Sequence, residues 1–271
     1  MSDALLDVIR GGVRVYDLGR PLFAGMPQSP NHPKYTHALP RRHGDTVRPD
    51  GGSAASDLLV MGTHVGTHID ALAHVSHLGK LHGGSDAGEV RNGGYPDHGV
   101  NTIAPMVRRG VLLDIPKALG LEVCRAAYEI TPTDLTTALQ QQGVQLGDGD
   151  VALIRSGWGR RFAAGTDSYL GKETGVPGVG EAGAHWLADR GVLAAGADTI
   201  AFEQLPAGAG HAVLPAHRVL LVDNGIYIIE ALDLEELAES ETYEFTFVLV
   251  PLNLIGATGS PVRPLAVVAH A

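Results

Sequence analysis

The chain has 271 residues, a formal net charge of −10, and 44% hydrophobic against 18% charged residues. That composition supports a large buried core and excludes a disordered chain, while acidity without a basic stripe argues against nucleic acid or an anionic membrane as partner. One cysteine, Cys124, rules out an internal disulfide. With no apolar run of about 18 residues and no signal-like stretch in residues 1–10, a cytoplasmic protein is expected.

In chain order, apolar and β-branched runs predict strands at 13–18 and 57–61. Between them, residues 20–52 are rich in Gly, Pro, His and Asp and read as a long loop, as do residues 79–101. Further strands are predicted at 111–115, 151–156, 192–195, 226–230, 245–250 and 265–268. A helix should open at Thr131, which offers an N-cap followed by Pro132 at the first helical position and Asp134 in the first turn. It should run to Gln142 and stop at Gly143. Other helices are predicted at 180–190, 215–222 and 234–240. The alternation of strands and helices in the second half points to an α/β or α+β fold with a mixed sheet. No linker divides the chain, so one domain spanning 1–271 is expected.

Chemistry concentrates in residues 61–82, where His64, His68, His74, His77 and His82 hold five of the 13 histidines. His64, His68 and Asp70 sit at i, i+4 and i+6. On a helix the last of these points away from the other two. On a strand all three share a face, but the two histidine Cα atoms would stand about 13 Å apart, near the limit for sharing one ion. A bend at Gly66 shortens that span. The expectation is an irregular strand or turn that holds two imidazoles and a carboxylate around a metal, with coordination positions left open.

His74 follows Asp70 by four residues, and an imidazole there can stand beside the metal and move a proton. Glu230 ends the apolar run 226–229, where a buried carboxylate needs a partner or an ion. Asp198, Thr199 and Glu203 follow a predicted strand and are candidates for lining the site and contacting substrate. Trp158 is a candidate for packing on a flat substrate. His77 and His82 read as loop residues. No G-x-x-x-x-G-K-[ST] and no G-x-G-x-x-G following a predicted strand is present, and no G-x-S-x-G elbow that would mark a serine hydrolase.

The run HVGTHIDALAH from His64 to His74 resembles the signature of the bacterial cyclase family, which includes kynurenine formamidase and isatin hydrolase. Residues 217–230, the closing GATGSPVRP of 256–264 and Tyr16-Asp17-Leu18 are similar to further segments of that family. The resemblance implies a swivelling β/α/β fold with a barrel-like mixed sheet and a homodimer with sites near the subunit interface. It also implies a divalent cofactor, Mn2+ or Zn2+. By the same resemblance the metal ligands are His64, His68, Asp70, His217 and Glu230, with Asp70 able to bridge two ions and His74 acting in proton transfer. His211 lies close enough in sequence to compete with His217 for the later ligand position. The long loops are more similar to the isatin-hydrolase branch, so the expected reaction is the opening of a small cyclic amide. Arylformamidase activity, lactone hydrolysis and a non-catalytic binding role are the alternatives.

Overall fold

The structure, a computed structural model, describes residues 4–91 and 93–270. Its strands in chain order are Val13–Asp17 (β1), Thr36–Arg41 (β2), Ser56–Val60 (β3), His68–Asp70 (β4), Met106–Asp114 (β5), Glu129–Ile130 (β6) and Val151–Arg155 (β7). They continue with Gly178–Val179 (β8), Ala194–Ala197 (β9), Tyr227–Glu230 (β10), Glu244–Leu249 (β11), Gly259–Pro261 (β12) and Leu265–Ala269 (β13). The helices are Ala4–Gly11 (α1), Ile115–Ala118 (α2), Pro132–Gln142 (α3), Thr166–Leu170 (α4), Glu181–Ala188 (α5), Pro215–His217 (α6) and Glu235–Glu239 (α7).

Nine strands form one curled sheet in the order β1-β13-β11-β5-β7-β9-β10-β4-β12. Its centre is parallel, β5 to β7 to β9 to β10, and its flanks are antiparallel. This is the mixed α/β architecture that the alternation of elements predicts.

Both faces of the central strands are buried, and successive residues feed opposite cores. Val111 and Leu113 of β5, Ala152 and Ile154 of β7 and Ile228 of β10 face α3 and α5. Leu112, Leu153 and Ile229 face the other way, toward Leu234 and Leu237 around α7. Strand β9 reads Ala-Ala-Gly-Ala because space is short there: a Cβ on Gly196 would lie 2.7 Å from Leu232 Cδ1.

Helix α3 starts and stops where its sequence requires. Thr131 and Asp134 form a reciprocal capping box, and Gly143 ends the helix in the left-handed region at φ +68°. Two expectations need correction, and one helix is unpredicted. Residues 20–52 are not all loop, because β2 pairs with β3 in a ribbon apart from the main sheet. Both strands of that ribbon are exposed throughout, so neither shows the buried-exposed alternation that marks a strand in sequence. The predicted helix 215–222 is one turn of α-helix, α6, followed by a π-helical stretch, Arg218–Asp223. Helix α1 has no predicted counterpart, and none of its side chains is buried.

Candidate metal centre

The centre is built where β4 lies between β10 and β12. Residues 63–67 turn, and Gly66 takes φ +70°. A Cβ at Gly66 would lie 2.4 Å from Leu22 Cδ2, so backbone conformation and crowding both require glycine. This is the bend that the spacing predicts. The chain then enters β4, where Ile69 faces the core and His68 and Asp70 face the opposite side. The antiparallel register sets Glu230 of β10 opposite His68 and Ile228 opposite Asp70. Strand β12 closes the other side with Gly259 opposite Asp70. A Cβ on Gly259 would sit 2.5 Å from the His64 ring, so a bare backbone leaves that imidazole its place.

Two imidazoles point their Nε2 atoms into this cluster. His68 donates Nδ1–H to the Gly66 carbonyl at 2.8 Å, which leaves Nε2 3.5 Å from Asp70 Oδ1 and 3.4 Å from Glu230 Oε2. His217 of α6 donates Nδ1–H to Glu203 Oε2, and its Nε2 lies 3.2 Å from Glu230 Oε1 and 3.5 Å from Asp70 Oδ2. The second Glu203 oxygen accepts the backbone N–H groups of Ala216 and His217 at 3.1 and 3.4 Å. An acceptor behind each ring, a backbone carbonyl for His68 and a carboxylate for His217, fixes tautomer and orientation. His64 joins through Asp70, with Nδ1 2.7 Å from Oδ1, and its Nε2 lies 2.8 Å from Thr258 Oγ1. Asp70 Oδ2 is buried and has no hydrogen-bond partner among the described residues.

His74 stacks on His64 with ring centroids 3.9 Å apart, and His32 stacks on the other side of His64 at 5.3 Å. The three rings, with His68, His217 and Glu230, line a cavity of about 230 Å³. Burial pulls His74 down to about 4, with the neighbouring His64 and His217 adding to the effect, so the ring is neutral at pH 7. Burial opposes charge on His68 as well, but the Glu230 hydrogen bond and the Asp70 and Glu230 charges outweigh it and raise this residue to about 9. His217 is raised well above the ordinary range against its burial, led by the Glu203 charge. Burial opposes ionisation of Glu230, yet hydrogen bonds from His217 and His68 bring it down to about 2. Asp70 is held well below the usual carboxylate range, despite burial, by the surrounding imidazoles.

The other sequence candidates fall outside this cluster. Trp158 is fully buried among Phe162, Tyr169 and Val176, donates its indole N–H to the Tyr169 carbonyl at 2.8 Å, and does not line the cavity. Asp198 is also fully buried and accepts from Ser156 N, Ser156 Oγ and Gly159 N, which fixes the turn after β7. Thr199 is buried and donates to the Ala201 carbonyl. Glu203 meets His217 rather than open cavity. Of the two later histidines, His217 reaches the cluster, and His211 lines the cavity wall. Cys124 is buried and free, and burial pushes its thiol up to about 12. Sequence reasoning missed His32, which lines the cavity, and Thr258, which meets the His64 ring. Thr258 stands in the closing segment noted above, but nothing in that stretch ties it to a histidine 194 positions away.

The residues present fit a divalent ion. The cluster offers imidazole and carboxylate donors, and among them a buried carboxylate oxygen without a hydrogen bond, a costly arrangement unless a cation completes it. His68, Asp70 and Glu230 form one compact donor group, and His64, Asp70 and His74 form a second that shares Asp70. Fold and site thus define a mixed α/β protein with a candidate divalent-cation centre at the floor of a cavity. A family model described as "Putative cyclase" matches residues 16–204, and the chain belongs to that family.

Isatin hydrolase from Roseibium aggregatum is 26% identical over 225 residues, which span 82% of this chain and 78% of that protein. The crystal structure of a novel cyclase superposes with a TM-score of 0.84 at 28% identity, covering 96% of this chain and 91% of its own. Isatin hydrolase A from Ralstonia solanacearum superposes with a TM-score of 0.76 at 24% identity, covering 99% and 98%, a likeness of fold. Among the described residues no helix is long and apolar enough to cross a membrane.

Proposed function

We propose that this metal-dependent hydrolase of the cyclase family opens a small cyclic amide of the isatin type by attack of water on the ring carbonyl. The observation that carries this reading is the neutral, cavity-lining His74 beside a cluster of oriented imidazoles and carboxylates. The isatin hydrolase relative supports the substrate class. His64, His68, Asp70, His217 and Glu230 would hold Mn2+ or Zn2+. When bound, such an ion supplies Lewis acidity that polarises a carbonyl and brings the pKa of water toward neutrality.

The chain's own residues do the rest. Asp70 and Glu230 stay ionised at pH 7 and balance the cation. Glu203 keeps His217 facing inward, and the Gly66 carbonyl does the same for His68. His74 accepts a proton from the attacking water as the C–O bond forms. As the C–N bond breaks, the same ring returns the proton to the departing nitrogen, giving an amine and a carboxylic acid. Its stacking on His64 holds the ring at the cavity surface through both transfers.

The β2–β3 ribbon leaves Leu39, Leu58, Leu59 and Val60 about half exposed, and a lone two-stranded ribbon is marginally stable in water. That supports a homodimer in which a second copy covers the ribbon.

The test is turnover of isatin, N-formylkynurenine and a simple lactone by the wild type and by His74→Ala. The reading expects the cyclic amide to be preferred, and expects His74→Ala to lower kcat by about 10²–10⁴ with metal retained. Preference for the formyl amide or the lactone would replace the substrate class. Full turnover by the variant would remove His74 from the mechanism, and metal binding without any hydrolysis would make this a binding protein.

A further inference from the structure

A second hollow, of about 160 Å³, adjoins the cavity over the metal centre. Asn31, Ile200 and His211 line both. Leu170, Leu205, Pro30 and Pro206 line only that hollow and are apolar, and Lys172 is its one charged neighbour. Its walls are set by backbone geometry. Leu205 exchanges both main-chain hydrogen bonds with Val176 at 2.9 Å, and Leu170 ends α4 just before Gly171 turns left-handed at φ +54°. Leu170 and Leu205 are themselves largely buried, so the surface they offer is preformed.

We infer that this hollow is a substrate subsite for an apolar group the size of a phenyl ring, carried on the amide that is hydrolysed at the metal centre. Two magnitudes favour it. A cavity of about 150 Å³ lined by aliphatic side chains accepts benzene, and this hollow is of that size, with Leu170, Ile200 and Leu205 as its aliphatic surface. Small-molecule sites usually enclose about 300–1,000 Å³. The metal-centre cavity alone, at about 230 Å³, falls short of that range, and only with the hollow included does it enter it. Asn31, His211 and Lys172 also line the hollow and leave room for a weak polar group on the substituent. The preferred substrate is therefore an aryl-extended cyclic amide rather than a compact one.

This inference rests on the hydrolase reading for its substrate but not for its pocket, so two measurements separate them. Crystals of the wild-type protein soaked in iodobenzene should show an anomalous iodine peak between Leu170, Ile200 and Leu205, with no turnover required. Absence of the peak there overturns the subsite. In solution, kcat/KM is compared for isatin and a phenyl-substituted isatin, in wild type and in Pro206→Trp, which fills the hollow from its exposed rim. The wild type should favour the extended substrate, and the variant should lower the ratio of extended to compact by about 10-fold or more, the scale on which apolar pockets discriminate. An unchanged ratio overturns the subsite. An iodine peak without hydrolysis of either amide supports the pocket and overturns the hydrolase reading.

Discussion

Replacing Glu203 by glutamine tests how the centre is held together. One Glu203 oxygen accepts two backbone N–H groups, at 3.1 and 3.4 Å, and the other accepts the ring Nδ1–H of His217. Glutamine can keep the backbone bonds through its carbonyl, but then presents an NH2 to a ring N–H. The conflict is relieved if the imidazole changes tautomer, which puts the proton on Nε2. That atom faces Glu230 and Asp70, and a protonated Nε2 cannot ligate. Loss of such an orienting partner costs about 10–100-fold in metal affinity, or about 1.4–2.8 kcal/mol. The assay titrates apoprotein with Mn2+ or Zn2+ against a chromophoric chelator. Thermal unfolding of the metal-free variant sets the temperature at which it is folded, because glutamine keeps the backbone bonds but removes the charge that faces a protonated His217 in the metal-free state. Wild-type metal affinity in Glu203→Gln would refute the reasoning.

Two further predictions follow from the same geometry. Gly66→Ala should destabilise the fold by about 1–3 kcal/mol, because φ is +70° and the new Cβ would meet Leu22 at 2.4 Å; an unchanged denaturation midpoint would contradict this. Metal uptake at pH 7.5 should release about one to two protons. In the metal-free state His68, with a pKa of about 9, and His217, raised well above its ordinary value, both carry protons that ligation through Nε2 expels, so apparent affinity should rise with pH up to about 9. Calorimetry in buffers of differing ionisation enthalpy counts the protons, and a count of zero would show that the histidines are already neutral.

The centre was legible in sequence as far as local spacing reaches. His64, Gly66, His68 and Asp70 lie on seven consecutive residues, and a turn leading into a strand is what their spacing allows. The helix caps around α3 were legible for the same reason, since Thr131, Asp134 and Gly143 act within one helix. Contacts made across the sheet were not. Glu203 meets His217 because α6 folds back over the loop after β9, and nothing in the residues GADTIAFE separates a substrate contact from a histidine's partner. His32 reads as one histidine in a polar loop until the turn at 63–67 brings His64 beneath it. Trp158 is available for substrate in the sequence, which does not show that Phe162, Tyr169 and Val176 close around it. The β2–β3 ribbon was half hidden, since strands without a buried face lack the alternation that reveals them.

The central claim is that this cluster is a metal site, and elemental analysis of protein purified without chelator tests it most directly. The wild type should hold about one or two equivalents of manganese or zinc, held by His64, His68, Asp70, His217 and Glu230. His68→Ala, which removes an imidazole whose Nε2 faces both Asp70 and Glu230, should lose that metal while remaining folded. No metal in either protein, even after incubation with manganese and zinc, would contradict the account.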